Sequence, residues 1–399
     1  PLTDAGKNSQ TKYYIDGNLY DTEIVTKDGN GNVVSIGYED NGVRRTQHVY
    51  DEENRETKKT FQFSALGVDF QNTYEYKTVT HYLAGEEQET NLVSKDAFGI
   101  GGNKETDVEL YEYYANGNVK KITKSGNGSV KEYFYDDFGR LTVESNTELN
   151  RKFIYTYDNN GNITKKQTCD ISGYETLIKT DVYTYNSDGD RKDLLIGYDG
   201  ATITYDKYGN PLAYKGKPFK WKGKNLVKVG GLQMEYDYNG LRTKKGNKKY
   251  FWYGNRLIAE TFTENNVENT IYYRYDKRGI CGMTVKTNSG YNNYYFRKNI
   301  FGDIVEVYDS GCYPLVTYTY DAFGNATVKV HPINDRYAQL NPFRYRGYYW
   351  DEEIELYYVQ KRYYDPEIGR FISPDSIENI NPSEIFGLNL YAYCYNNPI

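Results

Sequence analysis

Near its end this chain carries an arginine and two aspartates close enough in sequence to act together: Arg362, Asp365 and Asp375. Two carboxylates held side by side cannot both ionise cheaply, so one keeps a proton. The ionised one can then activate water, and the protonated one can polarise a scissile carbonyl. A guanidinium can orient one of the pair through a two-pronged contact. Asp365-Pro366-Glu367-Ile368-Gly369 reads as a turn that would bring Asp365 back toward Asp375, with Arg362 holding one carboxylate. The same residues have a plainer use, because Asp-Pro-x-x-Gly and Ser373-Pro374-Asp375 are ordinary turn and cap sequences.

Other chemistries find little support. His48, His81 and His331 are the only histidines, and none has a second ligand at zinc-motif spacing. There is no Gly-x-Ser-x-Gly elbow and no phosphate loop. Asp28-Gly29-Asn30-Gly31-Asn32 and Asn186-Ser187-Asp188-Gly189-Asp190 look like calcium loops. Neither reaches the acidic twelfth position an EF-hand needs, and both fall on turns of a repeat. Cys169, Cys281, Cys312 and Cys394 are too scattered to form a disulfide framework. No cofactor and no metal are expected.

The elements that must position any site come from repetition. The pattern Tyr-Asp-x-x-Gly-Asn/Arg starts clearly at Tyr135, Tyr157, Tyr205 and Tyr320. Looser copies start at Lys27, Tyr38, Tyr50, Tyr113, Tyr185, Tyr236, Tyr275 and Lys298. A run of alternating Tyr, Val, Ile and Thr precedes each turn, as in residues 152–157 and 316–320, and predicts a strand with one face packed. In the turn, the Asp accepts a backbone N–H, and the Gly supplies the positive φ of a bulged hairpin loop. The copy at Tyr50 has Asn54 at the Gly position, the residue next most tolerant of that conformation.

Apart from the gap between Tyr50 and Tyr113, the spacing runs from 11 residues to 39, and residues 55 to 110 hold no good copy. Such unevenness argues against a propeller or a tight solenoid. It suits a long antiparallel strip, which must hide its apolar face and edges by curling into a shell or barrel. With 47 tyrosines in 399 residues, the expectation is a thin, wide sheet paved with Tyr rings, whose hydroxyls meet water or a partner. Cross-strand pairs worth roughly 0.2–1 kcal/mol each would stabilise it. A net charge of −6 with mixed signs and no basic patch argues against nucleic acid as a partner. No apolar run approaches the length of a membrane span. The chain opens on Pro1 without a signal peptide, as a fragment or processed product would.

After Gly324 the repeat stops. Arg362-Tyr363-Tyr364-Asp365-Pro366-Glu367-Ile368-Gly369-Arg370-Phe371-Ile372-Ser373-Pro374-Asp375 follows, then Asn389-Leu390-Tyr391-Ala392-Tyr393-Cys394-Tyr395-Asn396-Asn397-Pro398. These segments, with the Tyr-Asp repeats upstream, resemble the Rhs/YD-repeat proteins: bacterial polymorphic toxins and the C components of insecticidal toxin complexes. The likeness spans about residues 20–399 and is weak across 55–110. It implies an all-β fold. A long antiparallel strip of hairpins (residues 1–340) would curl into a shell, closed by an inward-turning C-terminal plug (341–399). It further implies a secreted or cell-surface shell around a C-terminal toxin domain, enclosed as cargo. An N-terminal shell portion and a delivery apparatus would be its other partners. In this family an aspartyl autoprotease in the plug cuts the toxin free; the matching residues are Arg362, Asp365 and Asp375, with the cut beyond Ile399. Ile354-Glu355 replaces the family's usual Thr-Gly, which puts that turn in doubt. Little helix is expected outside residues 376–390. The alternative is a surface YD array without enzymatic activity, gripping glycans through exposed Tyr faces.

Overall fold

A computed structural model describes residues 7–15, 17–38, 44–63, 68–80, 87–101, 105–187, 191–264, 266–288, 290–333, 335–376, 378 and 387–399. The turns after Tyr38 and Tyr185, His81, and most of the segment expected to hold helix lie outside these residues.

Thirty-three strands, β1 (Lys7–Ile15) to β33 (Arg370–Phe371), make up the described fold, with short 3-10 turns near the end. They form three antiparallel sheets in which every strand pairs with its neighbours in sequence. The first runs from β1 to β16 (Ala201–Thr202), the second from β17 (Ala213–Tyr214) to β29 (Ala326–Val330). The first two are linked by a turn bridged from Tyr205 to Pro211, so the strip barely breaks. The third comprises β30 (Tyr349–Asp351), β31 (Leu356–Val359), β32 (Arg362–Asp365) and β33. Alternation sets the faces as expected: Phe153 and Tyr155 are buried while Thr156 is exposed, and Val316, Tyr318 and Tyr320 are buried together.

The repeat unit is legible atom by atom. Asp136 Oδ1 accepts the N–H groups of Phe138 and Arg140 at 3.0 Å, and Gly139 donates to the Asp136 carbonyl at 2.9 Å. A register shift beside Tyr135 marks the bulge. Gly139, Gly161, Gly209 and Gly324 have φ of 78°, 74°, 85° and 94°, and Asn54 sits at 61°. One further turn escaped the sequence pattern. Asp309 opens it, and Cys312 takes the glycine position at φ 65°.

The repeat tyrosine stitches as well as paves. Its hydroxyl donates to a backbone carbonyl of an earlier strand: Tyr135 to Val119 (3.0 Å), Tyr205 to Leu195 (2.6 Å), Tyr275 to Leu257 (2.8 Å) and Tyr320 to Ile304 (2.6 Å). The ring is thus half-buried, or buried at Tyr320, without stranding its polar tip.

The two long sheets lie against each other. Tyr38 donates to the Tyr275 carbonyl at 3.1 Å, Lys59 meets Asp276 at 2.9 Å, and Arg297 meets Asp107 at 2.7 Å. The short third sheet packs inside both. Tyr364 donates to the Phe323 carbonyl at 2.7 Å, and Arg370 donates to the Asp193 carbonyl at 2.6 Å. Tyr345, Tyr357 and Tyr364 are essentially fully buried there. The strip is therefore a shell with its chain end turned inward as a plug.

Not every turn glycine tolerates the same change. A Cβ on Gly139 would meet only Asn118, at 3.9 Å, whereas one on Gly324 would come within 2.5 Å of the Tyr345 ring. Gly139→Ala should cost about 1 kcal/mol from the positive φ alone. Gly324→Ala should cost about 2–3 kcal/mol, because it also overpacks the seam between shell and plug. Urea unfolding of the two variants checks the ranking.

The interior also titrates. Glu144 is fully buried, accepts from Ala322 N–H (2.7 Å) and Asn146 (3.0 Å), and is pushed up to about 7 by burial and then by Asp321. Asp96 is pushed up to about 6 by burial and by Glu109. Both are raised above their unfolded values, so the fold favours their neutral forms. Their contribution is complete at low pH and is lost as pH rises through 6 to 7. The melting temperature should therefore rise by several degrees between pH 8 and pH 5.5; scanning calorimetry across that window is the check.

Candidate functional site

The hairpin of β32 and β33 builds the site. Tyr364 pairs with Phe371 and Asp365 with Arg370, while Ile372 N–H donates to the Tyr363 carbonyl at 3.0 Å. The turn between them needs Gly369 at φ 67°, pressed against Phe323. The returning strand therefore runs back along β32, away from Asp365 and toward Arg362. That register is the physical meaning of the thirteen-position separation of Arg362 and Asp375.

Arg362 and Asp375 do meet: Nη2 lies 2.9 Å from Oδ2. The two side chains are 20% and 30% exposed, so a peptide segment can reach them. Arg362 Nη1 also donates to the Leu390 carbonyl at 3.4 Å, and its guanidinium sits 3.5 Å from the centre of the Phe371 ring. Burial lowers the Arg362 pKa, and Asp375 opposes that shift. Asp375 is further held by its N–H to the Leu390 carbonyl (3.0 Å), and its Oδ1 accepts Ser376 N–H at 2.7 Å. The Asn389-Leu390-Tyr391 segment lies beside β33, where Phe371 N–H donates to the Tyr391 carbonyl. It forms the floor of the pair.

Asp365 is placed elsewhere. It stands three residues after Arg362 on the same strand, so the two side chains leave opposite faces. Its carboxylate is fully buried, accepting from Tyr214 hydroxyl (2.7 Å) and Glu367 N–H (2.9 Å), with Lys215 Nζ at 3.3 Å. Burial raises its pKa, opposed by Lys215 and Tyr214. The turn at 365–369 thus folds onto Asp365 itself and the shell wall, because the hairpin sends Asp375 to the far end of the strand. Tyr214 and Lys215 are some 150 residues upstream, and nothing in their local sequence marks them as its partners.

The turn at Ile354-Glu355 forms despite the missing glycine. Glu355 takes φ 55°, and Ile354 is buried. His48 is buried against Glu56 and Thr46, and His331 lies 2.9 Å from Thr317. The Asp28 carboxylate is occupied by Asn30 and Asn32. Among the described residues no cluster of three or more metal-ligating side chains occurs, and no helix is long and apolar enough to cross a membrane.

Comparison with known proteins identifies the family and the fold. The family model described as Teneurin YD-shell matches residues 240–399. The tRNA nuclease WapA of Bacillus subtilis is 32% identical over 283 residues, covering 68% of this chain and 11% of that protein. The toxin protein Tse5 of Pseudomonas aeruginosa is 42% identical over 64 residues, 16% of this chain and 4% of its own length. The crystal structure of TcdB2-TccC3 superposes on 98% of the chain with a TM-score of 0.64 at 18% identity, using 23% of that larger chain. The chain thus spans about a tenth of the length of WapA. Repeat, plug and relatives agree: this chain belongs to the Rhs/YD-repeat proteins and forms part of a β-shell.

Proposed function

We propose that this chain is the closing part of a shell that holds a toxin domain following it in the polypeptide, and that it cuts that domain loose beyond Ile399, with Asp375 as the general base. The observation that carries this reading is the partly exposed Arg362–Asp375 pair on the plug. Asp375 takes a proton from water as the water oxygen attacks the scissile carbonyl. The C–N bond then breaks, and the proton passes to the leaving nitrogen, giving a carboxyl and an amine. Arg362 holds the Asp375 carboxylate in place and aims it. Asp365, named with them by the family motif, acts in this reading as the anchor between hairpin and shell wall. Residues 1–340 serve as wall and 341–399 as plug. Other partners would be an N-terminal shell portion and a delivery apparatus, in a protein secreted or displayed at the cell surface.

The glycan-binding alternative would need rows of solvent-facing tyrosines. The repeat tyrosines instead give their hydroxyls to backbone carbonyls inside the wall. The test is intact mass of a chain extended past Ile399 through the Asp-Pro-x-Gly sequence after which proteins of this family are cut, beside its Asp375→Asn variant. Two fragments from the first and one from the second support the reading; a whole wild type or a cut variant ends it.

A further inference from the structure

The last residues of the chain are held more firmly than a tail needs. Cys394, Tyr395 and Asn396 stand at φ of 48°, 52° and 63°, three successive side-chain-bearing residues in the left-handed region. An unconstrained chain leaves that conformation. Here Asn396 donates to the Gly161 carbonyl at 2.7 Å, and Asn397 to Asn118 at 3.1 Å, so two shell turns pin it. Next comes Pro398, whose carbonyl accepts from Arg346 Nη2, with the Tyr345 hydroxyl 3.4 Å away.

Arg346 is itself fixed on three sides. Asp303 takes its backbone N–H at 2.8 Å, the Phe301 carbonyl takes Nη1 at 3.1 Å, and the guanidinium lies over the Phe301 ring at 4.8 Å. Its own φ is 52°, a conformation that side chain adopts only under such constraint. Two clefts, of about 490 and 560 Å³, share Phe301 and Gly302 in their walls. Ile399 lines the second, and Arg346, Tyr348 and Gln360 line the first; Gln360 stands two residues before Arg362, where β32 begins. Together they offer room for an extended peptide running on from Ile399.

We propose that Arg346 is a positioning residue: by gripping the Pro398 carbonyl it sets which peptide bond of the following chain reaches Asp375. This rests on the self-cleavage reading above. The grip makes Pro398 the origin of a ruler, so the site would count residues from it.

The test uses the chain extended past Ile399, with one Ala inserted between Pro398 and Ile399 in a second version. In the wild type the insertion should leave the cut the same number of residues from Pro398, and hence one residue earlier in the original sequence. Arg346→Ala should slow cutting at least tenfold and spread it over neighbouring bonds. Arg346→Lys, which keeps the charge beside Asp303, should recover part of the rate; it also serves if the Ala variant fails to fold. Amide exchange at Asn396 and Asn397 in the 399-residue protein measures the grip separately, and should quicken at least tenfold in Arg346→Ala. A variant cut at the same bond and rate as wild type overturns the positioning role while leaving self-cleavage standing. A wild type that is never cut overturns both, and faster exchange alone would then reduce Arg346 to a structural anchor.

Discussion

Replacing Asp375 by Asn in the extended chain should reduce self-cleavage at least a hundredfold, the lower range for removal of a general base. The amide has nearly the same shape but can neither take a proton from water nor pass one to the leaving nitrogen. The loss should not come from unfolding. Asp375 is partly exposed, and its N–H to the Leu390 carbonyl does not depend on the side chain. Arg362→Ala should act in the same direction more weakly, because it frees the carboxylate without removing it. Fragments of the wild type should co-elute on a sizing column, since the wall is held by hairpins rather than by the severed bond. Equal cutting of wild type and Asp375→Asn would place the chemistry on another residue.

Asp351→Ala should destabilise the fold by about 3–5 kcal/mol, the usual cost of orphaning a buried charge. Asp351 is completely buried on β30 and is gripped by Arg242 through both terminal guanidinium nitrogens, Nη1 and Nη2, and by Lys245 at 2.6 Å. Arg242 is itself 1% exposed and stacks among Tyr250, Tyr349 and Tyr358. Removing the carboxylate leaves Arg242 without its anion in that setting, at the seam between the second sheet and the plug, while Lys245 keeps only the exposed Glu353 at 2.6 Å. Arg242→Met together with Asp351→Leu should recover much of the loss, because it removes both the anion and its closest cation. Denaturant midpoints of the single and double variants decide the matter. The acid limb adds a second reading. Although burial opposes it, Arg242 and Lys245 hold the Asp351 pKa below its ordinary value. Its contribution is therefore present above pH 4 and lost as pH falls below that. This is opposite in sign to Glu144 and Asp96, so stability should peak in mild acid.

How much of this was written in the chain can be argued residue by residue. The hairpins were, because a turn is a local object: Asp136 reaches Phe138 and Arg140, and Gly139 alone accepts its φ, all within five residues. Cys312 marks the limit of that logic, since its turn closes with a residue the pattern does not admit. Alternation likewise told which face of residues 316–320 is buried. The pairing of Arg362 with Asp375 was half legible. Their spacing carries it, but only the hairpin register shows that the returning strand passes Arg362 and leaves Asp365 behind. The contacts of Asp365 with Tyr214 and Lys215, of Asp351 with Arg242, and of Pro398 with Arg346 were not legible at all. Each joins plug to wall or plug to chain end across 50 to 150 residues. Such partners are chosen by how the strip curls, and curling depends on the summed twist of many strands rather than on any one segment.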